Sequence, residues 1–351
     1  MKKTVLYLCS AIFCASVHAQ NIPAPKSYIA HKTPFPITID GLGDEEAWQA
    51  SAWSDEFIDI EGKKTPQYKT QVKMLWDEQY LYFFAKLEEP HIWATLKQRD
   101  TVIFYNNDFE IFLDPDGDTH HYMEFEMNAH NTLWDLMLTK AYRDGGRPID
   151  NWDIKGIKTA VHINGTFNDP TDIDTCWTVE IAMPWEALNE AQAKQGGKAG
   201  EFWRINFSRV NWDYDLINGK YYRKQDANGK FLPEYNWVWS PQWVINMHEP
   251  EHWGYVYFSG SAPGESDSFT IPQDEQLRWA LYEAFAEIKN RWKAKNGLEH
   301  VKEFAKTPLN IGGKQVTITV EKTASGWNIS AQSPFTKKQY AITQDGKYVE
   351  L

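Results

Sequence analysis

Hydrophobic and polar residues alternate with a period of two through much of the chain up to residue 258. Such alternation is typical of pleated strands that bury one face and expose the other. Turn residues separate the alternating segments at short spacing, with only brief helical segments between them. The pattern predicts about ten strands and an all-β fold, a β-sandwich. The predicted strands cover residues 71–76, 80–87, 109–113, 122–127, 132–138, 158–163, 176–183, 202–212, 239–243 and 254–258.

Residues 107–128 are predicted to form the central hairpin of this sandwich. Two alternating segments flank an acidic turn, and Glu110, Glu124 and Glu126 fall in the same phase of the alternation. The three carboxylates therefore share one face of the hairpin. Like charges that face one another across strands destabilise a sheet by up to about 1 kcal/mol. Arginines, a cation or hydroxyl-rich ligands must compensate them.

Two functions for this acidic face follow from the residues alone. The favoured interpretation is that the glutamates form ion pairs with Arg204 or Arg209, with hydrogen bonds to a sugar as a second role. The alternative is a glycoside hydrolase that uses the Glu110, Glu124 and Glu126 cluster. Enzymes of this class cleave the glycosidic bond with two carboxyl groups that lie about 5–10 Å apart. The sequence shows no nucleophile elbow, phosphate loop or Ser/His/Asp pattern.

The composition changes at residues 259–268, which are rich in glycine, serine, alanine and proline. This stretch is predicted to be a linker. The residues beyond it, 269–351, are predicted to form a small α+β region. Within it, residues 273–292 carry apolar side chains at helical spacing. Short strands are predicted at residues 316–320, 327–331 and 339–343.

Residues 1–19 are predicted to be a secretory signal peptide. Lys2 and Lys3 precede a short apolar stretch, and small residues at 17–19 form a cleavage site. The protein is therefore expected to be exported, to the periplasm or outside the cell. Cleavage leaves Cys176 as the single cysteine, so the mature chain is expected to form no internal disulfide. Residues 20–36, rich in proline, are predicted to be an extended lead-in to the sandwich at 37–258.

Composition and charge narrow the range of partners. Aromatic residues make up 15% of the 351 residues and include 17 tryptophans, most of them expected in the core and a few as exposed stacking platforms. The formal net charge is −12, and removal of the two leader lysines takes it to −14. Such acidity disfavours nucleic acids and anionic membranes as partners. No later segment approaches the length of a membrane span, so no membrane insertion is expected.

Six short motifs follow one another along the chain: Ile39-Asp40-Gly41 with Trp48, residues 73–77 with Leu81-Tyr82, residues 107–114, residues 180–185, Trp239-Ser240 and Trp253-Gly254. In this order they resemble the motifs of the family 9 carbohydrate-binding modules. The resemblance covers about residues 36–258. It implies a jelly-roll-like β-sandwich, as in DOMON-like domains, that binds polysaccharide or oligosaccharide without cleaving it and carries structural calcium. Such a module serves polysaccharide capture or breakdown.

The resemblance also implies that two tryptophans hold the end of a glycan chain. Phe104 or Tyr105 stands where one of these tryptophans is expected, and Trp243 is nearest to the position of the other. Sugar recognition needs flat apolar faces against the ring C–H groups and planar polar side chains against the hydroxyls. The candidate sugar-binding residues are Phe104, Tyr105, Glu110, Trp134, Trp152, Arg209, Asn211 and Trp243.

The turn of the hairpin is a candidate calcium site. Asp114, Asp116 and Asp118 place carboxylates at alternate positions, as hard cations that prefer oxygen ligands require. The alternative is an acidic, solvated turn without an ion.

A third functional class is a sandwich that binds haem or another cofactor, as some relatives of this fold do. Met74, Met127 and His130 are available as ligands, but no pattern singles them out. The sequence specifies neither the sugar nor the oligomeric state.

Overall fold

The computed structural model describes residues 23–190, 192, 196–294, 308–324 and 326–351. The predicted signal peptide, residues 1–19, lies outside the described residues. The strands of the first part of the chain are β1 (Ser27–Lys32), β2 (Ile58–Asp59), β3 (Thr70–Trp76), β4 (Tyr80–Glu88), β5 (Asp108–Asp114), β6 (His120–Asn128), β7 (Leu133–Lys140), β8 (Pro148–Ile149), β9 (Lys158–Asn164), β10 (Cys176–Pro184), β11 (Phe202–Asn211), β12 (Tyr214–Ile217), β13 (Lys220–Arg223), β14 (Tyr235–Val238) and β15 (Gly254–Phe258).

Helices are few and short in this part of the chain. They are α1 (Glu46–Ala50) and α2 (Trp185–Leu188), with 3₁₀ turns at Ile103–Tyr105, Tyr142–Asp144 and Pro250–His252. The third helix, α3 (Asp274–Ala294), comes after the last strand of the sandwich. Among the described residues, no helix is both long enough and apolar enough to cross a membrane.

The strands form two sheets that share β1. The first sheet runs β8-β7-β6-β5-β11-β15-β1, with β14 paired to β11 and β2 paired to β14. The second sheet runs β1-β3-β4-β10-β9. Residues 27–30 of β1 pair in parallel with β15, and His31 and Lys32 pair in parallel with β3. This stretch, predicted to be an extended lead-in, is thus the strand that joins the two sheets.

Apolar side chains from both sheets fill the space between them. The ring of Phe207 on β11 contacts Phe83 of the second sheet, with 5.8 Å between ring centroids, and stacks on Phe109 at 5.9 Å. Burial of such rings is the main stabilising contribution to a fold of this kind. Trp48 is fully buried, as expected of a core residue, and its Nε1 donates to Glu180 Oε1 at 2.7 Å. The predicted β-sandwich is confirmed.

The β5–β6 hairpin has the predicted division of faces. Phe109, Ile111 and Leu113 point into the sandwich core. Glu110 lies directly opposite Glu126, so the carboxylates lie on the outer face of the first sheet. Part of this outer face is itself covered, because the loop before β15 packs on it through Met247 and Trp253.

The C-terminal residues form a helix packed on a small sheet, as predicted. α3 buries Leu277, Leu281 and Ile288 against this sheet, which forms a core separate from that of the sandwich. The pattern of apolar residues at helical spacing and then in alternation therefore predicted both parts. The C-terminal strands are β16 (Leu309–Ile311), β17 (Lys314–Val316), β18 (Thr319–Lys322), β19 (Trp327–Gln332), β20 (Gln339–Thr343) and β21 (Tyr348–Glu350), of which β18 to β21 form one antiparallel sheet.

Polar contacts fix this C-terminal region on the sandwich. Arg278 Nη1 donates to the carbonyl oxygen of Gly117 at 2.7 Å, and Tyr255 Oη donates to Glu275 Oε2 at 2.7 Å. Lys347 Nζ lies 2.9 Å from Asp118 Oδ2. The region is therefore docked on the hairpin turn as well as tethered by the chain at 259–268.

Candidate functional site

A cavity of about 300 Å³ opens on the outer face of the first sheet. We call it the Glu110 cavity. Its floor consists of side chains from neighbouring strands of the sheet, and its rim comes from loops and from β14. The floor residues are Glu110, Phe112, Glu124, Glu126, Trp134 and Val210, and the rim residues are Ile60, Phe104, Tyr142, Glu234, Asn236 and residues 245–248.

The carboxyl groups of the floor are buried and close together. Asp108, Glu110 and Glu126 each place a carboxylate oxygen within 4.8 Å of the others. Burial raises the pKa of Glu110 to about 7. Burial, and then the charge of Glu110, raises the pKa of Glu124 and of Glu126 well above the ordinary value. Near neutral pH the floor thus retains protons, and it offers hydrogen-bond donors as well as acceptors.

Aromatic rings stand around these carboxyls. Trp134 on β7 lies opposite Glu126, and its buried Nε1 has no hydrogen-bond partner among the described residues. The backbone N–H of Phe104 donates to Glu126 Oε2 at 3.0 Å, which fixes the 3₁₀ turn at the rim. Tyr142 is 44% exposed and offers its ring to the solvent side. The cavity therefore combines apolar ring faces with planar polar groups.

The histidine at the rim is neutral near pH 7. Burial lowers the pKa of His248 to about 4. His248 Nδ1 and Tyr122 Oη lie 2.8 Å apart, within hydrogen-bond distance. The imidazole therefore adds no positive charge to offset the carboxylates.

The segment that builds this floor matches a known protein family. Residues 39–211 match the family model described as "Carbohydrate family 9 binding domain-like". This segment belongs to that family. The match runs from β2 to β11 and includes every strand of the cavity floor. The resemblance predicted from the six motifs is confirmed.

Solved structures with similar folds share little sequence with this chain. A protein from Bacteroides uniformis whose proposed role is carbohydrate binding is 15% identical, with a TM-score of 0.48; the similarity covers 67% of this chain and 100% of that one. A family 9 module from Caldicellulosiruptor kristjanssonii was solved with cellotriose (17% identity, 70% and 98% coverage, TM-score 0.42) and with glucose (16%, 70% and 100%, 0.42). Comparison with curated protein sequences gave no match.

Three predicted sugar-binding residues meet in the Glu110 cavity of the family 9 module. These are Phe104, Glu110 and Trp134. Tyr105, the next residue after Phe104, instead lines a neighbouring cavity with Arg223. Tyr142 and His248 also line this cavity, and neither is predicted from the sequence, because both come from loops with no periodic pattern.

The predicted ion pairs between the glutamates and arginines are wrong. Arg209 Nη2 lies 2.6 Å from Glu89 Oε2, and Arg204 Nη2 donates to the carbonyl oxygen of Glu251 at 2.9 Å. Arg209 belongs to the phase of β11 that points toward the sandwich core, so it cannot reach Glu110 on the outer face. Arg204 is on the outer face, but its register partner is Asp114, four residues from Glu110.

The other predicted sugar-binding residues lie outside the Glu110 cavity. Arg209 is fully buried, and it donates to Asn211 Oδ1 at 3.0 Å as well as to Glu89. Trp152 packs against the sandwich core, and its Nε1 donates to Glu190 at 2.9 Å. Trp243 lines a different cavity, together with Trp279 of α3. Trp243 and Phe104 therefore do not form a pair of rings that could hold the end of a glycan chain between them.

The acidic turn of the hairpin has the donor set of a hard-cation site. Asp114, Asp116 and Asp118 each place a carboxylate oxygen within 4.8 Å of the others. Asp114 also accepts the backbone N–H of Thr119 at 2.9 Å, which shapes the turn. Lys347 already pairs with Asp118, but burial and the neighbouring aspartates still raise the pKa of Asp114 and Asp116. The residues thus fit calcium, which would offset the remaining negative charge.

Proposed function

We propose that this protein binds glycan chains without cleaving them, and that the Glu110 cavity of its family 9 module holds the sugar. The observation that carries this proposal is the lining of the cavity. Phe104, Trp134 and Tyr142 offer ring faces for the apolar side of a sugar ring. Glu110, Glu124 and Glu126 offer hydrogen-bond donors and acceptors for its hydroxyls.

The ionisation of the floor favours binding over hydrolysis. A glycosidase needs one carboxyl that stays ionised beside one that stays protonated, so that the pKa values of the two are pushed apart. Here burial raises the pKa of Glu110, Glu124 and Glu126 together. None of the three is paired with an arginine or lysine among the described residues. The floor therefore has no cationic partner that would keep one carboxyl ionised below pH 7, as a nucleophile or base requires.

Export is part of the proposal. It rests on the signal-peptide pattern of residues 1–19, with its leader lysines and small-residue cleavage site. A binding protein in the periplasm or outside the cell would meet polysaccharides there and support their capture or breakdown.

Replacement of Trp134 with alanine tests the site. We expect sugar affinity to fall at least about tenfold, because the ring and its free Nε1 are lost together. The measurement is binding to a glycan array, followed by titration calorimetry with the best ligand. Trp243→Ala is the matched control, since Trp243 lines another cavity, and it should bind like the wild type. If the wild type binds no glycan on the array, or if both variants lose affinity equally, the proposal fails.

We also propose that Asp114, Asp116 and Asp118 hold a structural calcium ion. Calcium at about ten times its dissociation constant is expected to stabilise the folded protein by about 1.4 kcal/mol. Asp116→Asn should abolish this effect and preserve the turn, because Asp114 accepts the backbone N–H of Thr119 and Asp118 pairs with Lys347. The measurement is thermal unfolding in CaCl₂ and in EGTA, with MgCl₂ as the control. Equal melting temperatures of the wild type in CaCl₂ and EGTA would contradict the proposal.

A further inference from the structure

A second cavity, of about 490 Å³, lies beside the Glu110 cavity. We call it the hairpin cavity because β12 and β13, which form a two-stranded hairpin, supply one of its walls. This hairpin begins at Tyr214, just beyond residues 39–211 that match the family 9 model. The side chains that matter for its chemistry are Trp93, Tyr105, Tyr221, Tyr222, Arg223 and Phe231.

The β12–β13 hairpin is firmly attached to the sandwich. Tyr221 is buried and stacks on Trp93, with ring centroids 5.8 Å apart and planes inclined by 9°. Tyr221 Oη also donates to the carbonyl oxygen of Asp169 at 3.2 Å. The wall is thus preformed, so a ligand would not have to order it on binding.

The other rings of the hairpin cavity remain open to solvent. Tyr105 is 47% exposed, Tyr222 48% and Phe231 43%. Several aromatic rings exposed at one concave surface are typical of a binding site. Each ring would stabilise the fold more if it were buried in the core, so its exposure here indicates contact with a ligand. The guanidinium of Arg223 lies over the rings of Tyr105, at 4.6 Å, and of Phe231, at 4.1 Å. These cation–π contacts hold the two rings in position.

The two cavities lie on either side of the 3₁₀ turn Ile103–Tyr105. Phe104 lines the Glu110 cavity, and Tyr105 lines the hairpin cavity. The rings of these adjacent residues touch edge to face, with centroids 5.0 Å apart. Glu234, at the rim of the Glu110 cavity, is also close enough for its charge to act on Arg223. A chain that leaves the Glu110 cavity past Phe104 therefore meets Tyr105 next.

We propose that the hairpin cavity is a second sugar subsite, which binds the units of a glycan chain that continue from the unit in the Glu110 cavity. This inference rests on the proposed function. Tyr105, Tyr222 and Phe231 supply stacking faces, and Arg223 supplies N–H donors for ring hydroxyls or a carboxylate. The affinity of the protein for a glycan should therefore increase with the length of the glycan chain.

The test uses an array printed with ladders of β-1,4-glucan, xylan, mannan and β-1,3-glucan, from monosaccharides to chains long enough to span both cavities. Wild type is compared with Tyr222→Ala and Phe231→Ala, both at exposed positions. We expect each variant to bind the shortest ligands like the wild type and the longest about tenfold more weakly. Phe35→Ala is the matched control, because Phe35 is 75% exposed and lines neither cavity.

The outcomes separate this inference from the proposed function. If the wild type binds the ladders and Tyr222→Ala and Phe231→Ala keep the full gain with chain length, the hairpin cavity is not a subsite, while the proposed function stands. If Trp134→Ala weakens binding of every length and the hairpin variants weaken only the long chains, both are supported. If the wild type binds none of the ladders, both fail.

Discussion

Arg209→Met is expected to destabilise the folded protein by about 3–5 kcal/mol, because it leaves the carboxylate of Glu89 buried without its partner. Both side chains are buried, and Arg209 Nη2 lies 2.6 Å from Glu89 Oε2. Burial raises the pKa of Glu89 and lowers that of Arg209, so the solvent-free surroundings oppose both charges. Their contact acts against burial, because the charge of Arg209 lowers the pKa of Glu89 and the charge of Glu89 raises that of Arg209. The measurement is urea unfolding at pH 7.

A double variant separates the loss of the pair from the burial of a lone charge. Arg209→Met with Glu89→Gln should recover a large part of the stability, since the unpartnered charge is gone. Lys338→Met is the control, because its pair with Glu350 is half exposed and should matter little. If Arg209→Met keeps wild-type stability but loses glycan binding, Arg209 is a sugar ligand rather than a structural residue.

The strands that the sequence pattern predicts are those with one apolar face. In β5 and β6 the alternation fixes which residues share a face, and the structure places Glu110 opposite Glu126 accordingly. β1 lacks such a signal because prolines flank it and it divides its pairing between two sheets. Its position depends on partners more than 40 residues away in sequence, which no local pattern contains.

The alternation along β11 also explains why Arg209 does not pair with the glutamates of the outer face. Arg209 is in phase with Trp203, Ile205 and Phe207, all of which belong to the sandwich core. A charged residue in that phase is expected to be buried with a partner and not to point at the acidic outer face. Tyr142 and His248 carry no such signal, because loops bring them to the cavity. Their positions in the cavity follow only from the tertiary structure.

Glu110→Gln is expected to make the protein more stable above pH 7, by up to about 3 kcal/mol, and to leave its stability nearly unchanged near pH 4.5. The pKa of Glu110 is raised from 4.5 to about 7 by burial. Between these values the folded state keeps a proton that the unfolded state has released. Folding therefore loses stability as pH rises through this window, and the loss is complete above pH 7. Glutamine carries no titrating proton, so the variant escapes the loss.

The measurement is urea unfolding of wild type and variant at pH 5 and pH 8. Glu321→Gln, at an exposed strand position, is the control and should differ from the wild type by the same small amount at both pH values. Parallel pH profiles for wild type and Glu110→Gln would show that the carboxyl is not destabilised by burial. The neighbours strengthen the expected effect, because the charge of Glu110 also raises the pKa of Glu124 and Glu126. Buried carboxyls that lower stability and lack a cationic partner among the described residues fit a site whose polar groups are satisfied by a bound sugar.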